Sequence, residues 1–422
     1  MEYATGKFLS DADLKKAREA FYLLDKDPDG TPRVFFENAG GSLRLKAAAD
    51  TFYNIDMIPD CDGRKHPMAV HLKNIVKKAE EDVRMMFNVK GGVVATSQSA
   101  SQIMYEMVSA VVENVPGTNV VTGVLEHPSS FDPSEKFAGM TGKELRVAPS
   151  NPVTGGIDVD TICSLVDKDT CLLSIMYASN LTGAIMDIPA IVKKARAIKP
   201  DLFIIVDAVQ HAPHACMDFS ELAIDGVNFA PYKFFGTRGV GIAWLSDRLA
   251  RLPHAKLLAK PEAFWGLGSE APAQYAMMSE IINYVCDLGG SGSADRRTAF
   301  AAGMEKIILQ ERALLHALLE GTAEQPGLRH IKGVTVQADN PDLTKRDLII
   351  SITFDNIDPT AATAEYVKRH VIVYDRVDTS LYSTRMLHSF GLKGVVRISP
   401  LHCQTLDDVN TFLKVTQEIA AL

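Results

Sequence analysis

The sequence predicts an α/β protein with a mostly parallel sheet. From Val34 to Trp244, short runs of β-branched and apolar residues alternate with stretches of helical periodicity, which indicates strand–helix–strand crossover units. After residue 276 long helices come first and a group of strands follows, as in a smaller α+β domain. We therefore expect an N-terminal helical segment (residues 1–32) that packs with the small domain, a large domain (33–275) and a small C-terminal domain (276–422).

The individual elements follow from local patterns. Ser10 and Asp13 form a capping-box pattern ahead of apolar residues at helical spacing, so a helix should begin there. Apolar runs predict strands in the large domain, and Ile188–Ile198 has helical periodicity that a Lys-Pro pair ends. The predicted large-domain strands are residues 120–124, 172–177, 202–206 and 239–245. In the small domain we expect helices at 276–288 and 299–319, strands at 348–354, 371–374 and 395–399, and a final capped helix from Thr405.

Composition excludes several classes of function. The 422-residue chain has a net charge of −8 and a pI near 5.8, whereas nucleic-acid or acidic-membrane binding requires a basic surface. It has no signal-peptide pattern, and no apolar run reaches the roughly 18 residues of a membrane span. Its six cysteines are scattered without a Cys-x-x-Cys pair. We expect reduced thiols, no metal site and a cytoplasmic location.

The candidate chemistry lies at predicted strand ends, where open parallel sheets bind ligands. Asp207 follows the apolar run 202–206, and Lys233 lies in the apolar stretch 229–235. A desolvated lysine has a lowered pKa and becomes an amine nucleophile for an aldehyde. A pyridoxal cofactor needs such a lysine, together with a carboxylate that keeps its pyridine nitrogen protonated. The glycines from Gly236 to Gly241 fit a turn rather than a nucleotide loop, and the Gly/Ser run 289–293 fits a flexible connection.

Several further motifs occur in the order of one known family. They are Phe36-Glu37-Asn38-Ala39-Gly40-Gly41, Leu125-Glu126-His127, Ser179-Asn180 with Gly183, Asp207 with Gln210, Lys233, and Arg397 with Ser399. Because of these motifs, the chain resembles the class V aminotransferase and cysteine desulfurase family over residues 33–422. The members of this family are fold type I enzymes that use pyridoxal 5′-phosphate. The first motif is similar to that family's Asp-Asn-Ala-Ala turn. The resemblance implies a seven-stranded sheet in the large domain and a cofactor held on Lys233 as a Schiff base.

The resemblance also implies roles for individual residues. Asp207 would pair with the pyridine nitrogen, Gln210 with the phenolic oxygen and Asn180 with the same edge of the ring, while His127 would stack on its face. Lys233, His127 and Asp207 form the expected catalytic set. Arg397 would bind the substrate α-carboxylate next to Asn38 and Ala39, and His214 would be structural. The phosphate would lie near Ser99, Ala100 and Tyr232, with Ser269 supplied by the neighbouring subunit of a homodimer that shares its active sites.

Two departures bear on the reaction. The desulfurases usually have Ser-x-His-Lys where this chain has Ala230-Pro231-Tyr232-Lys233, so Tyr232, with Arg238, is our candidate replacement. A cysteine desulfurase also needs a mobile cysteine upstream of the carboxylate-binding arginine, and residues 371–396 contain none. Cys61 is a poor substitute from the N-terminal side.

We therefore expect an enzyme in which Lys233, once displaced by the substrate amine, removes the Cα proton of an amino acid. The favoured outcome is β-elimination from Cβ, of a C–S bond or another leaving group, without a persulfide relay. A class V aminotransferase is the alternative, and an epimerase the next. An aminotransferase would need a second anion-binding residue, for which the candidates are Arg64, Lys65, Arg376 and Arg385. A protein that binds but does not react is a hypothesis from another class.

Overall fold

The computed structural model describes residues 2–59, 63–290 and 295–422. Within them, the helices are α1 Glu2–Thr5, α2 Asp11–Glu19, α3 Lys46–Asp56, α4 Pro67–Phe87, α5 Ala100–Asn114, α6 Pro128–Thr141, α7 Val159–Cys163, α8 Ile188–Ile198, α9 Asp247–Ala250, α10 Pro272–Gly289, α11 Arg296–Glu320, α12 Pro359–Lys368, α13 Thr384–Ser389 and α14 Leu406–Ala420. The strands are β1 Phe21–Tyr22, β2 Val34–Phe35, β3 Arg44–Leu45, β4 Val93–Ser97, β5 Asn119–Gly123, β6 Glu144–Ala148, β7 Thr170–Met176, β8 Phe203–Asp207, β9 Gly226–Phe229, β10 Gly241–Leu245, β11 Val334–Val336, β12 Ile350–Phe354, β13 Val371–Ile372, β14 Tyr374–Val377 and β15 Gly394–Ile398.

The large sheet has seven strands in the order β4-β10-β9-β8-β7-β5-β6. Its pairs are parallel except that β10 runs antiparallel to β4 and β9. Leu172 packs with α5 on one face, whereas Leu173 packs with α8 on the other, and β7 and β8 are buried along their whole length. Because helices cover both faces, these strands are continuously apolar. The mostly parallel seven-stranded α/β sheet is as predicted.

A second, antiparallel sheet is built from the C-terminal strands in the order β11-β12-β15-β14. Here one prediction was wrong, because residues 371–374 are not a single strand. Val371 and Ile372 pair with β2 in parallel, while Tyr374 begins a strand that pairs with β15. The apolar run reads as one strand in sequence, but Val373 is the point at which the backbone changes partner. The domain division at residues 32 and 275 stays a prediction.

The N-terminal segment contacts C-terminal parts of the chain. Ser10 caps α2 by accepting a hydrogen bond from the Asp13 N–H at 3.2 Å, and Arg18 donates to the carbonyl of Cys403 at 3.0 Å. The helix Ile188–Ile198 has the predicted bounds, and the capping box predicted at Thr405 is formed with Asp408. Three strands of the large sheet were not predicted from the sequence. They are β4, β6 and β9, which are four or five residues long.

Two further observations concern helix hydropathy and the cysteines. No helix in the described ranges is long and apolar enough to cross a membrane. The five cysteines that the structure describes are free thiols, buried except for the partly exposed Cys216. Cys61 and residues 291–293 of the Gly/Ser run lie outside the described residues.

Candidate active site

A cavity of about 190 Å³ opens at one edge of the large sheet, where β4, β5, β7, β8 and β9 end and β10 begins. A single water needs roughly 10–15 Å³ by such a measure, so the cavity has room for a small organic molecule. It contains eight of the nine residues predicted to bind the cofactor. Its lining residues are Ser99, Ala100, Ser101, His127, Ser129, Met176, Ala178, Asn180, Asp207, Val209, Gln210, Ala230, Tyr232, Lys233 and Arg238.

Asp207 is the last residue of β8 and enters the cavity from the middle of the sheet. The N–H of Val209 donates to its carboxylate at 3.0 Å, which holds the side chain in place. Burial raises the pKa of Asp207, and this hydrogen bond and the positive charge of Lys233 oppose the rise. A buried carboxylate in this position favours a cationic partner within the cavity.

Lys233 lies in a short 3₁₀ turn, Pro231–Lys233, directly after β9. The N–H of Ser42 and a guanidinium nitrogen of Arg44 donate to the Tyr232 carbonyl, at 3.1 Å and 3.0 Å. Phe235 closes the turn in the left-handed region, at φ 66°, a strained conformation for an aromatic residue. Burial, followed by repulsion from Arg397, lowers the pKa of Lys233 to about 8, although Asp207 opposes this. The turn therefore presents an amine that is readily deprotonated.

His127 caps the N-terminus of α6 and so faces the same cavity. Its Nδ1 accepts a hydrogen bond from the Ser129 N–H at 3.1 Å, which leaves the proton of the neutral ring on Nε2. Burial, then the charge of Lys233, lowers the pKa of His127 to about 3. Beside it, burial raises the pKa of Glu126 to about 8, and a carboxyl oxygen of Glu126 accepts from the Met176 N–H at 2.7 Å. His127 is therefore a neutral, flat wall of the cavity.

Two buried amides also face the cavity. The side-chain oxygens of Asn180 and Gln210 are buried, and neither has a hydrogen-bond partner among the described residues. Buried polar atoms in proteins are normally paired, and leaving one unpaired costs about 1–3 kcal/mol. Both amides therefore indicate a polar ligand between Asp207 and the ends of β7 and β8.

At the opposite end, the N-terminus of α5 lines the cavity with Ser99, Ala100 and Ser101. Ser99 caps this helix by accepting from the Gln102 N–H at 3.1 Å. Gly241 lets β10 pass against it, since a Cβ there would lie 2.1 Å from the Ala100 nitrogen. The guanidinium of Arg238 stacks on the Tyr232 ring, 4.2 Å from its centroid. A helix N-terminus beside a cation is suited to bind a phosphate group.

The predicted substrate end lies beyond Lys233. Asn38 donates through Nδ2 to the Ser399 carbonyl at 2.9 Å, and the Ala39 N–H donates to the Ser399 hydroxyl at 3.0 Å. Arg397 is 2% exposed, and its Nη2 donates to both carboxylate oxygens of Glu37, at 2.7 Å and 3.1 Å. Glu37 belongs to one of the sequence motifs, but this contact was not predicted. A buried arginine without a partner is unfavourable, which was a signal that some nearby carboxylate contacts it.

The structure separates the four candidates for a second anion-binding residue. Arg376 is buried near Arg397, and its pKa falls to about 9 because of burial and then of repulsion by Arg397. Arg385 donates to the carbonyls of Val124 and Glu126 and covers the Phe131 ring. The remaining two, Arg64 and Lys65, are exposed ahead of α4. Arg376 is therefore the candidate that is buried and close enough to Arg397 and Lys233 to affect their charges.

Ser269 and Tyr382 lie differently with respect to the cavity. Ser269 is exposed and does not line this cavity, although the prediction assigned it to the active site of a neighbouring subunit. Tyr382 stacks against His127 with ring centroids 5.8 Å apart, and it lies in the segment in which a desulfurase would carry its cysteine. No feature of the sequence indicated this stacking, because the two residues are far apart in the chain and meet only in the fold.

Comparison with known proteins agrees with this geometry. A family model described as aminotransferase class-V matches residues 34–412. A cysteine desulfurase of Serratia proteamaculans is 24% identical over 345 residues, which cover 75% of this chain and 79% of the relative. A probable cysteine desulfurase of Streptomyces coelicolor is 24% identical over 382 residues, covering 82% and 83%.

Solved structures extend the similarity to the fold. An apo structure of a cysteine desulfurase from Thermococcus onnurineus NA1 has a TM-score of 0.80 at 18% identity and covers 99% of both chains. The cysteine desulfurase CsdA of Escherichia coli, in an S-sulfonic acid form, has a TM-score of 0.77 at 17% identity and covers 97% of this chain and 98% of its own.

Proposed function

The chain belongs to the aminotransferase class-V family, whose members are pyridoxal-phosphate-dependent enzymes, and from this premise we propose that it is a lyase acting at Cβ of an amino acid. The leaving group, a sulfur or another electronegative atom, departs without a persulfide relay through the enzyme. The observation that carries this proposal is the absence of a cysteine from the cavity within the described part of the chain.

The cavity residues fit the cofactor. Asp207 would supply a fixed carboxylate for the pyridine nitrogen, and the amides of Asn180 and Gln210, whose side-chain oxygens are unpaired, would supply partners for the polar edge of the ring. The neutral imidazole of His127 offers a flat face for stacking. Ser99 and Ala100, with Tyr232, would hold the phosphate at the start of α5. When bound to Lys233, pyridoxal phosphate supplies an electron sink for negative charge at the substrate Cα.

Proton transfer falls to Lys233. Its amine carries a lowered pKa, so that it can accept the Cα proton near neutral pH and return a proton afterwards. The turn that holds it is fixed by Ser42 and Arg44, which limits the positions that the amine can reach. Arg397 orients the substrate through its carboxylate, because a guanidinium binds a carboxylate in a fixed plane.

The fate of the leaving group depends on residues 378–384. In this segment Tyr382 stacks against His127, which lines the cavity, and Leu381 is 90% exposed. Neither side chain can accept sulfur. A sulfur leaving group would therefore depart as a free thiol or sulfide.

An aminotransferase is the second candidate, and Arg376 is the observation that favours it. A keto-acid partner with two carboxylates needs two cations, and Arg376 and Arg397 are both buried near Lys233. In contrast to the lyase, an aminotransferase leaves the cofactor in its amine form after the first half of the reaction.

To test the proposal, the purified, cofactor-loaded protein is incubated with a panel of amino acids. The cofactor is then released by acid treatment and identified. The lyase predicts catalytic formation of a keto acid and ammonia, and recovery of pyridoxal phosphate. One equivalent of keto acid with recovery of pyridoxamine phosphate would instead identify an aminotransferase and contradict the lyase. Lys233→Ala should abolish product, and the exposed Lys77→Ala is the matched control.

A further inference from the structure

The substrate end of the site contains a carboxylate of the protein itself. Glu37 contacts Arg397 through both carboxylate oxygens, and the Nη1 of Arg397 donates to the Asn180 carbonyl at 3.0 Å. The side chain of Glu37 is 17% exposed, and burial raises its pKa while Arg397 opposes the rise. Glu37 therefore competes directly with any ligand carboxylate that approaches Arg397.

Gly40 makes this contact possible. A Cβ at Gly40 would lie 2.1 Å from Oε1 of Glu37, closer than two non-bonded atoms can approach. The turn resembles Asp-Asn-Ala-Ala, with Glu37 in place of Asp and Gly40 in place of the second Ala. The longer acid thus occupies the space that a methyl group would fill, so the two differences act together.

Arg376 is the second cation. Tyr374 lies opposite Arg397 in the antiparallel pair β14–β15, so Arg376, two residues on, projects from the same face of the sheet as Arg397. Its Nε donates to the Ser383 hydroxyl at 2.7 Å and its Nη2 to the Tyr382 carbonyl at 2.8 Å. Among the described residues, no carboxylate lies within ion-pair distance of it.

One positive charge at this end is unbalanced, because the buried guanidiniums of Arg376 and Arg397 have only the carboxylate of Glu37 beside them among the described residues. We propose that Glu37 is a specificity-determining residue that restricts the site to amino acids with one carboxylate and no anionic group in the side chain. The substrate carboxylate, shared by Arg376 and Arg397, restores the balance of charge. A second anionic group would meet Glu37 in a site of low dielectric, where like charges repel strongly. This inference rests on the proposed amino-acid enzyme and names its substrate class.

The test measures binding rather than turnover. The cofactor-loaded protein is titrated with propionate and with succinate, which lack an amine, and the dissociation constants are read from the change in cofactor absorption. The wild type should bind propionate more tightly than succinate. Glu37→Gln, which keeps the shape and removes the charge, should strengthen succinate binding by about tenfold and change propionate binding much less.

Two further variants make the result specific. Gly40→Ala should displace Glu37 from Arg397 and raise succinate affinity in the same direction, whereas Arg376→Gln should weaken propionate binding. Glu113→Gln, at an exposed glutamate near the end of α5, is the matched control and should leave both constants unchanged. A gain in affinity cannot result from damage to the fold.

Equal or tighter binding of succinate by the wild type would overturn the inference, as would an unchanged ratio of affinities in a folded Glu37→Gln protein. Both outcomes are distinct from failure of the proposed function. If that function were wrong, the panel of amino acids would give no catalytic keto acid and ammonia, whereas the propionate and succinate titrations require no turnover.

Discussion

At the scale of single residues, we propose that the amine of Lys233 is the group that takes up the cofactor. Only the unprotonated amine can attack an aldehyde, and the pKa of Lys233 is lowered to about 8 by burial and by Arg397. An exposed lysine, with a pKa near 10.5, would be almost wholly protonated at a pH of about 8. The cofactor-free protein should therefore react with pyridoxal phosphate well below the pKa of an ordinary lysine.

We predict that the rate of cofactor uptake rises with pH, with a midpoint near pH 8, and levels off above it. The rate is measured by rapid mixing, following the absorption of the bound cofactor. Lys77→Ala should reproduce the wild-type profile and Lys233→Ala should remove the absorption. A rate that continues to climb beyond about pH 10 would show an amine of ordinary basicity.

At the scale of elements, the approach of β10 to the start of α5 depends on Gly241. A methyl group there would overlap the Ala100 nitrogen at 2.1 Å and push the helix away from the strand. We predict that Gly241→Ala lowers the free energy of unfolding by about 1–3 kcal/mol, the usual cost of overpacking. It should also weaken the binding of pyridoxal phosphate more than the binding of pyridoxal, since the start of α5 would hold the phosphate group.

The control for this prediction is Gly139→Ala, because a methyl group at that position on α6 would have no atom within 4 Å. Stability is measured by urea unfolding and affinity by quenching of protein fluorescence. Equal losses of affinity for both forms of the cofactor would contradict a role for α5 in holding the phosphate.

A buried ion pair joins the segment after β8 to α11. Nδ1 of His214 lies 2.7 Å from Glu311, and although burial lowers the pKa of His214, this carboxylate raises it to about 9 overall. The folded pKa is above the unfolded value of 6.5, so the pair stabilises the fold fully below pH 6.5 and loses this contribution as the pH rises through about 9.

We predict that His214→Gln costs about 3 kcal/mol of unfolding free energy near pH 6, as expected for a broken buried pair, and far less near pH 10. Urea unfolding across that range measures the difference. His388→Gln, at a histidine whose side chain is 60% exposed, should show no such trend. A difference independent of pH would mean that His214 is neutral in the folded protein.

The sequence predicted elements best where one pattern decided the outcome. Ile188–Ile198 has helical spacing that Lys-Pro ends, and it formed at the predicted bounds. Asp207 and Lys233 could be singled out because strand ends carry ligands and a lysine in an apolar stretch is unusual, and both line the same cavity. The contact of Glu37 with Arg397, and the split of strand 371–374, could not be predicted, since both depend on pairing between segments more than 300 residues apart.

At the scale of the whole molecule, the exposed segment that contains Ser269 favours a dimer. Leu258 is 97% exposed and Leu267 is 57% exposed in this segment, an unusual exposure for large apolar side chains. We predict a dimer with twice the chain mass of 46.0 kDa by light scattering, and that Leu258→Glu shifts it toward monomer and weakens cofactor binding. Met140→Glu, at an exposed position on α6, is the control. A wild-type monomer with full cofactor affinity would contradict shared sites.

The pairing of β2 with β13 determines when the active site can form during protein synthesis. Asn38 and Ala39, which we predict to contact the substrate, are held by Ser399, and Val34 is held by the backbone of His370. Segments made early on the ribosome thus remain without partners until nearly the whole chain has emerged, and long-range contacts of this kind form slowly. The large sheet can fold before then, but a nascent chain should not bind the cofactor productively until translation has ended.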